Sequence, residues 1–250
     1  MSAFEFQLFD PNLRKLQFQL RNGETRVGEH FSQQNFSAAK YVLIGISENA
    51  GPQANLGRQG SENAFQAFSK VFFNTQFYPE VPLQNLAYLG QVKQIKQPLD
   101  RPEATQMVQE LDRLIFDVLT QHVAPYQIPI IVGGGHNNAL PLMRWASANG
   151  KLSVVNIDAH ADLRVAYEGF NYSHASVMYN VLQEIPQMKK LVQVGIRDYC
   201  DDELILIQQN PQRISTFFDK NIKILNSLGR LNHELRKSKK AEIYSQINSL

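Results

Sequence analysis

Short apolar runs recur along the chain with helix-patterned segments between them, and this alternation restricts the fold more than any other feature. Several runs are apolar throughout instead of alternating with polar residues, which is typical of strands covered on both faces. We therefore predict an α/β fold with three layers (αβα), in which helices cover both faces of a mostly parallel sheet. The predicted strands are residues 41–46, 86–92, 128–134, 152–158, 191–196 and 213–218, and the predicted helices are residues 61–72 with Ser61 as N-cap, 102–122, 138–150 and 174–185.

Composition and length exclude several classes of protein. The 250 residues are 43% hydrophobic and 19% charged, which is ordinary for a globular protein and excludes wholesale disorder. The single Cys200 cannot form an intramolecular disulfide, and the N-terminus has no basic stretch followed by an apolar one. No apolar run approaches the roughly 18 residues of a membrane span. We therefore expect a cytoplasmic protein without a membrane partner.

The chain is predicted to form one domain followed by a basic tail. Residues 1–223 contain no internal repeat and no linker rich in Pro or Ser, whereas residues 224–250 have the pattern of a polar helix or a frayed end. Residues 221–250 hold six basic and two acidic side chains. Because no aromatic interleaving or binding motif accompanies them, this balance favours a solvated helix face, and we expect no nucleic-acid partner.

Four side chains that could bind a metal follow two of the predicted strands. Asp158, His160 and Asp162 occupy alternate positions after one strand, and His136 follows another. Alternate residues of an extended segment project to the same side, and ligand sites in open α/β sheets form beyond the carboxyl ends of strands. Two carboxylates and two imidazoles without a thiolate suit Mn²⁺, with Zn²⁺, Fe²⁺ and Co²⁺ also admissible. The pattern therefore favours a metal site over a set of loop hydrogen bonds.

The segments GGGHNN and DAHADLR resemble the first two metal-binding motifs of the ureohydrolase family, which comprises arginases, agmatinases and formimidoylglutamases. The Gly-rich first motif that ends in His-Asn, and the Arg164 that closes the second motif, are most similar to the formimidoylglutamase-like branch. The segment GISENAGPQANLGRQGSENAF also resembles that branch. The resemblance covers residues 40 to 220. It implies an arginase-like fold in which His136, Asp158 and Asp162 ligate one Mn²⁺, while Asp158 and His160 ligate a second. It also implies that His174 takes part in proton transfer and that the substrate is bound by Asn138, Arg164, Asn55 and Arg58.

The activity implied by the resemblance is hydrolysis of a C–N bond in a linear amidine or guanidine. In the family, a Mn²⁺-activated hydroxide attacks the amidine carbon, which is a weak electrophile. Formimidoyl-glutamate is the favoured substrate, with glutamate and formamide as products, and arginine or agmatine are the alternatives. A deacetylase-like amidohydrolase is disfavoured because the His-rich pattern expected before its metal-binding Asp-x-His is absent.

The third motif of the family, Ser-x-Asp-x-Asp-x-x-Asp-Pro, is absent from the 250 residues. In the family it supplies two further aspartate ligands, so that Asp158 and Asp162 by themselves offset only half of the charge of two Mn²⁺ ions. We therefore expect a C-terminally shortened member that holds one Mn²⁺ where the family holds two, and that turns over substrate poorly. The alternative is a catalytically impaired remnant acting as a metal-binding or subunit-interaction protein, and homo-oligomer formation is left open.

Overall fold

The computed structural model describes residues 2–10, 22–31, 34–78, 80, 82–150, 152–222, 241 and 244–245. The chain divides into two compact units, Met1–Trp145 and Ala146–Leu250. The assignment of residues 1–223 to one domain stays a prediction. The predicted basic tail, residues 224–250, lies outside the described residues except for positions 241, 244 and 245.

The first unit is built on a four-stranded sheet with the order β1-β3-β2-β4. Its strands are β1 (Phe4–Leu8), β2 (Tyr41–Ser47), β3 (Leu86–Gln94) and β4 (Ile128–Val132). Strand β2 pairs in parallel with both β3 and β4, whereas β1 runs antiparallel to β3. As the run of apolar residues predicts, the central strand β2 is buried, with Val42 and Ile46 wholly inaccessible to solvent. The antiparallel strand β1 was not predicted from the sequence.

The helices of the first unit are α1 (Val27–Phe31), α2 (Ala50–Ala54), α3 (Ala64–Phe72) and α4 (Arg101–His122). A fifth helix, α5 (Ala139–Ala148), begins in the first unit, and its residues after Trp145 belong to the second. The predicted helix 102–122 is confirmed by α4. Asp100 caps its first turn by accepting a hydrogen bond from the Glu103 backbone N–H at 2.8 Å. Met107, Leu111 and Ile115 form the buried stripe that their spacing predicts.

The start of α3 differs from the prediction that Ser61 is its N-cap. A 3₁₀ turn, Ser61–Asn63, precedes the helix, and Asn63 occupies the N-cap position. The hydroxyl of Ser61 instead donates to the backbone oxygen of Glu48 at 2.6 Å. The prediction was wrong because the serine has a partner that is distant in the sequence and outside the helix.

The second unit is built on a three-stranded parallel sheet with the order β5-β6-β7. Its elements are β5 (Val154–Ile157), β6 (Leu191–Ile196), β7 (Ile214–Phe218), α6 (Val177–Glu184) and α7 (Asp201–Gln209). The fully buried Gln193 of β6 donates to the Ala161 oxygen at 2.7 Å and accepts from the Thr216 hydroxyl at 3.0 Å. These bonds satisfy a polar side chain in the core and tie the segment after β5 to the sheet.

None of the described helices is both long enough and apolar enough to cross a bilayer. The predicted absence of a membrane partner and the predicted cytoplasmic location stay predictions.

Candidate metal centre

The predicted ligand His136 lies in a tight turn at the carboxyl end of β4. Gly133 and Gly134 have φ angles of 99° and 70°, and a 3₁₀ turn, His136–Asn138, follows. A Cβ atom on Gly133 would lie 2.4 Å from the backbone oxygen of Ile46 in the neighbouring strand. The positive φ angles and the close contact with the neighbouring strand both require residues without a side chain, which explains the glycine run before the histidine.

A buried carboxylate that was not among the predicted site residues holds this turn. Glu48 is wholly inaccessible to solvent, and its Oε1 accepts from the Gly135 backbone N–H at 2.6 Å and from the Asn138 side-chain amide at 2.9 Å. Asn138 is itself buried and accepts a hydrogen bond from the Asn137 amide at 3.1 Å. In the described structure the Asn138 amide therefore serves the turn, and its role in substrate binding stays a prediction.

The Asp-x-His-x-Asp segment leaves the carboxyl end of β5, but it does not remain extended. Strand β5 ends at Ile157, the Asp158 carboxylate accepts from the His160 backbone N–H at 3.0 Å, and Asp162 has a φ of 52°. The expectation that alternation on an extended strand aligns the three side chains was wrong, because the chain turns within the segment. The turn nevertheless brings carboxylate oxygens of Asp158 and Asp162 within 4.8 Å of each other.

His160 lies beside the first of these carboxylates. Its Nδ1 is 3.5 Å from the Asp158 Oδ1, and its Nε2 is 3.9 Å from the Oδ2 of Asp198. The imidazole is 61% exposed, whereas Asp162 is buried. His160 therefore borders solvent between two carboxylates, and Asp162 forms the interior part of the site.

A second buried carboxylate holds the Asp-x-His-x-Asp segment. Glu203 of α7 accepts from the Leu163 backbone N–H at 2.9 Å and from the Cys200 backbone N–H at 2.8 Å. The Nε of Arg164 lies 3.6 Å from the same carboxylate. Arg164 thus offsets the charge of a buried acid, and its predicted contact with substrate stays a prediction.

The helical turn that carries His174 is linked to the same segment. His174 begins a 3₁₀ turn, His174–Ser176, just before α6. The Arg164 backbone N–H donates to the Ala175 backbone oxygen at 3.0 Å, and the backbone oxygen of Asp162 accepts from the first turn of α6, including a bond of 3.0 Å from Met178. Backbone hydrogen bonds within the second unit therefore tie the residues from Asp162 to Arg164 to the turn that bears His174.

The remaining predicted substrate residues lie at the end of α2 in the first unit. Asn55 is the C-cap of this helix and is half-buried, and Arg58 is exposed in the loop that follows. Leu56, between them, has a φ of 57°, an uncommon left-handed conformation for a residue with a side chain. Their contact with substrate stays a prediction.

Residues 39–244 match the model of the arginase family. The chain belongs to the arginase family. One relative of this arginase-family chain is the N(1)-aminopropylagmatine ureohydrolase of Thermus thermophilus, with 37% identity over 110 residues. The match covers 43% of this chain and 36% of that protein, so it spans about a third of the relative's length.

Two solved structures resemble the arginase-family chain over most of its length. The structure of Trypanosoma cruzi formiminoglutamase with Mn2+2 has a TM-score of 0.61 and 20% identity, and the match covers 83% of this chain and 69% of that one. The formimidoylglutamase of Bacillus subtilis subsp. subtilis str. 168 has a TM-score of 0.63 and 15% identity, covering 91% and 71%. These similarities confirm the predicted arginase-like three-layer α/β fold with mostly parallel strands.

Proposed function

We propose that this arginase-family chain is a metal-dependent hydrolase of C–N bonds in small linear amidines or guanidines. The observation that carries the proposal is the pair of carboxylates, Asp158 and Asp162, which lie within 4.8 Å of each other beyond the carboxyl end of a parallel strand. Two carboxylates at this separation repel each other by about 3 kcal/mol at an effective dielectric constant of ~20. A cation bound between the two carboxylates would offset this repulsion. Membership of the arginase family also supports a metal at this position.

The ligand set that we propose is His136, Asp158 and Asp162, holding one Mn²⁺. Carboxylate oxygens with an imidazole nitrogen and no thiolate fit Mn²⁺, and the T. cruzi relative described with Mn2+2 supports that choice. When bound, the ion would act as a Lewis acid towards water and the amidine group. His160 is the ligand that a second ion would use, and its exposure is consistent with weaker occupancy of that position.

His174 is the residue that we assign to proton transfer. An imidazole can give or take a proton near neutral pH, and the leaving amine needs a proton as the C–N bond breaks. Backbone hydrogen bonds from Arg164 to Ala175, and from α6 to the backbone oxygen of Asp162, tie this turn to the segment that carries Asp162, which supports the proposal. Asn55, Arg58, Asn138 and Arg164 are proposed to contact the rest of the substrate.

Formimidoyl-glutamate is the substrate that we favour, with arginine and agmatine as alternatives. The form of the two motifs and the structural similarity to two formimidoylglutamases support the first choice. The sequence similarity to a protein named N(1)-aminopropylagmatine ureohydrolase supports a guanidine instead. Release of formamide distinguishes the first choice from the alternatives, which release urea.

The test is to load the protein with Mn²⁺, offer each substrate, and measure formamide and urea. We expect formamide from formimidoyl-glutamate at a low rate, below about 1 s⁻¹, because one ion takes the place of two. Removal of metal by a chelator and Asp158→Ala should both abolish product, whereas His174→Asn should lower the rate while Mn²⁺ stays bound. Bound Mn²⁺ with no product from any substrate would instead support a metal-binding protein without turnover.

A further inference from the structure

Glu48 lies directly after β2, and its side chain is wholly buried. Its two oxygens accept three N–H hydrogen bonds: Oε1 from Gly135 at 2.6 Å and from Asn138 at 2.9 Å, and Oε2 from Gly51 at 2.9 Å. A buried carboxylate is costly unless several donors satisfy it, and bonds to a charged acceptor are roughly twice as strong as neutral ones. The position of these donors therefore indicates what the carboxylate stabilises.

Two of the three donors flank His136. Gly135 immediately precedes the histidine, and Asn138 follows it by two residues. The same oxygen, Oε1, accepts from both, so Glu48 connects the two sides of the turn to the end of β2. The contacts span 87 and 90 residues of sequence, and the turn consequently cannot shift without breaking bonds to a buried charge.

The space around the carboxylate is also adapted to this turn. A Cβ atom on Gly134 would lie 2.3 Å from the Asn138 amide nitrogen and 3.0 Å from the Glu48 Oε1. Gly134 has a φ of 70°, so its conformation and its lack of a side chain are both required for Glu48 and Asn138 to meet. The glycine run, the asparagine and the glutamate thus form one unit around His136.

We propose that Glu48 is a positioning residue for His136: it orients the turn so that the imidazole is held ready for the metal, without itself contacting the metal or substrate. The proposal rests on the proposed function in one respect, because His136 must be a metal ligand for the positioning to matter. Residues that support a metal ligand from behind typically change metal affinity about 10- to 100-fold when they are replaced.

The experiment compares Glu48→Gln and Glu48→Ala with Glu62→Gln, a control whose carboxylate is only partly buried and accepts from the Gly60 backbone N–H at 2.9 Å. Hydrogen exchange of the 131–140 segment is measured in metal-free protein, and Mn²⁺ affinity is measured by EPR titration of the folded protein. We expect Glu48→Gln to accelerate exchange at Gly135 and to weaken Mn²⁺ binding about 10-fold or more. Glu48→Ala should have the larger effect if it folds, and the control should have none.

A double-mutant cycle separates positioning from general destabilisation. If Glu48 acts through His136, then Glu48→Gln should not weaken Mn²⁺ binding further in a His136→Ala background. An equal loss in both backgrounds, or wild-type exchange and affinity in folded Glu48→Gln, would overturn the proposal. If neither wild type nor His136→Ala binds Mn²⁺, the proposed function fails. Even without Mn²⁺ binding, hydrogen exchange at Gly135 tests whether Glu48 holds the turn. Unchanged exchange in Glu48→Gln would contradict that role, and faster exchange would support it.

Discussion

The carboxylate of Glu203 accepts a hydrogen bond from the backbone N–H of Leu163 at 2.9 Å, across 40 residues of sequence. Leu163 follows Asp162 directly, and Glu203 lies in the first turn of α7. Because the same carboxylate also accepts from Cys200, it joins the start of α7 to the segment that carries the two proposed metal-binding aspartates. Glu203 therefore holds this segment in place, and in our proposal it is not itself a metal ligand.

Replacing Glu203 should destabilise the fold more than replacing an exposed acid beside it. Glu203→Gln has one carbonyl oxygen for two backbone donors and leaves Arg164 beside a neutral group, so we expect a loss of about 1–3 kcal/mol in the free energy of unfolding. Asp202→Asn, at an exposed position in the same turn, is the control and should change it by less than about 0.5 kcal/mol. Urea denaturation checks both values, and equal effects would contradict the assigned role.

Asp158→Ala should remove most of the bound Mn²⁺. Asp158 is a direct ligand in our proposal. Its replacement should therefore lower the Mn²⁺ affinity by more than the roughly 10- to 100-fold typical of residues that only support a ligand. Wild-type protein should bind one Mn²⁺ per chain tightly. Metal analysis after Mn²⁺ loading and gel filtration measures the metal content of the wild type and of Asp158→Ala, with Asp202→Ala as the control. Unchanged metal content in Asp158→Ala would reject Asp158 as a ligand.

Gly133→Ala should destabilise the first unit. The new methyl group would meet the Ile46 oxygen at 2.4 Å, and the φ of 99° is strained for alanine. We expect a cost of about 1–3 kcal/mol in the free energy of unfolding. Gly150→Ala is the matched control, because a Cβ there would meet nothing within 4 Å. Chemical denaturation that ranks the two variants alike would show that the turn tolerates a side chain.

Glu103 should make a small contribution to stability that depends on pH. The Lys96 ammonium beside it, with the Leu99 backbone N–H at 2.7 Å, lowers the pKa of this carboxyl below its ordinary value of 4.5. A lowered pKa in the folded state stabilises the fold above the unfolded pKa, and this stabilisation is lost as the pH falls through the folded pKa. The difference in thermal midpoint between wild type and Glu103→Gln should therefore be present at pH 7 and should shrink at pH values below 4.5. A difference that stays constant from pH 7 down to pH 3 would contradict this account.

Much of the fold could be predicted from local pattern. The predicted strands 41–46 and 191–196 are confirmed by β2 and β6, since an unbroken apolar run has few alternatives to a buried strand. Strand β1 was missed because FEFQL becomes a strand by pairing with β3, whose residues lie 82 to 90 positions later in the chain. Helix α7 was missed because its apolar stripe is weak and its start depends on the Glu203 carboxylate.

The sequence by itself determined the donor atoms of the candidate site and their places at the ends of strands. Those properties follow from residue type and periodicity, which are local. Only the tertiary structure decided which carboxylates could serve a metal and which hold the loops. Glu48 and Glu203 are buried because backbone donors far away in the sequence satisfy them. Asp162 turns inwards because α6 donates to its backbone oxygen and Glu203 accepts from the next residue, Leu163. The burial of a charged group depends on partners that no local pattern contains.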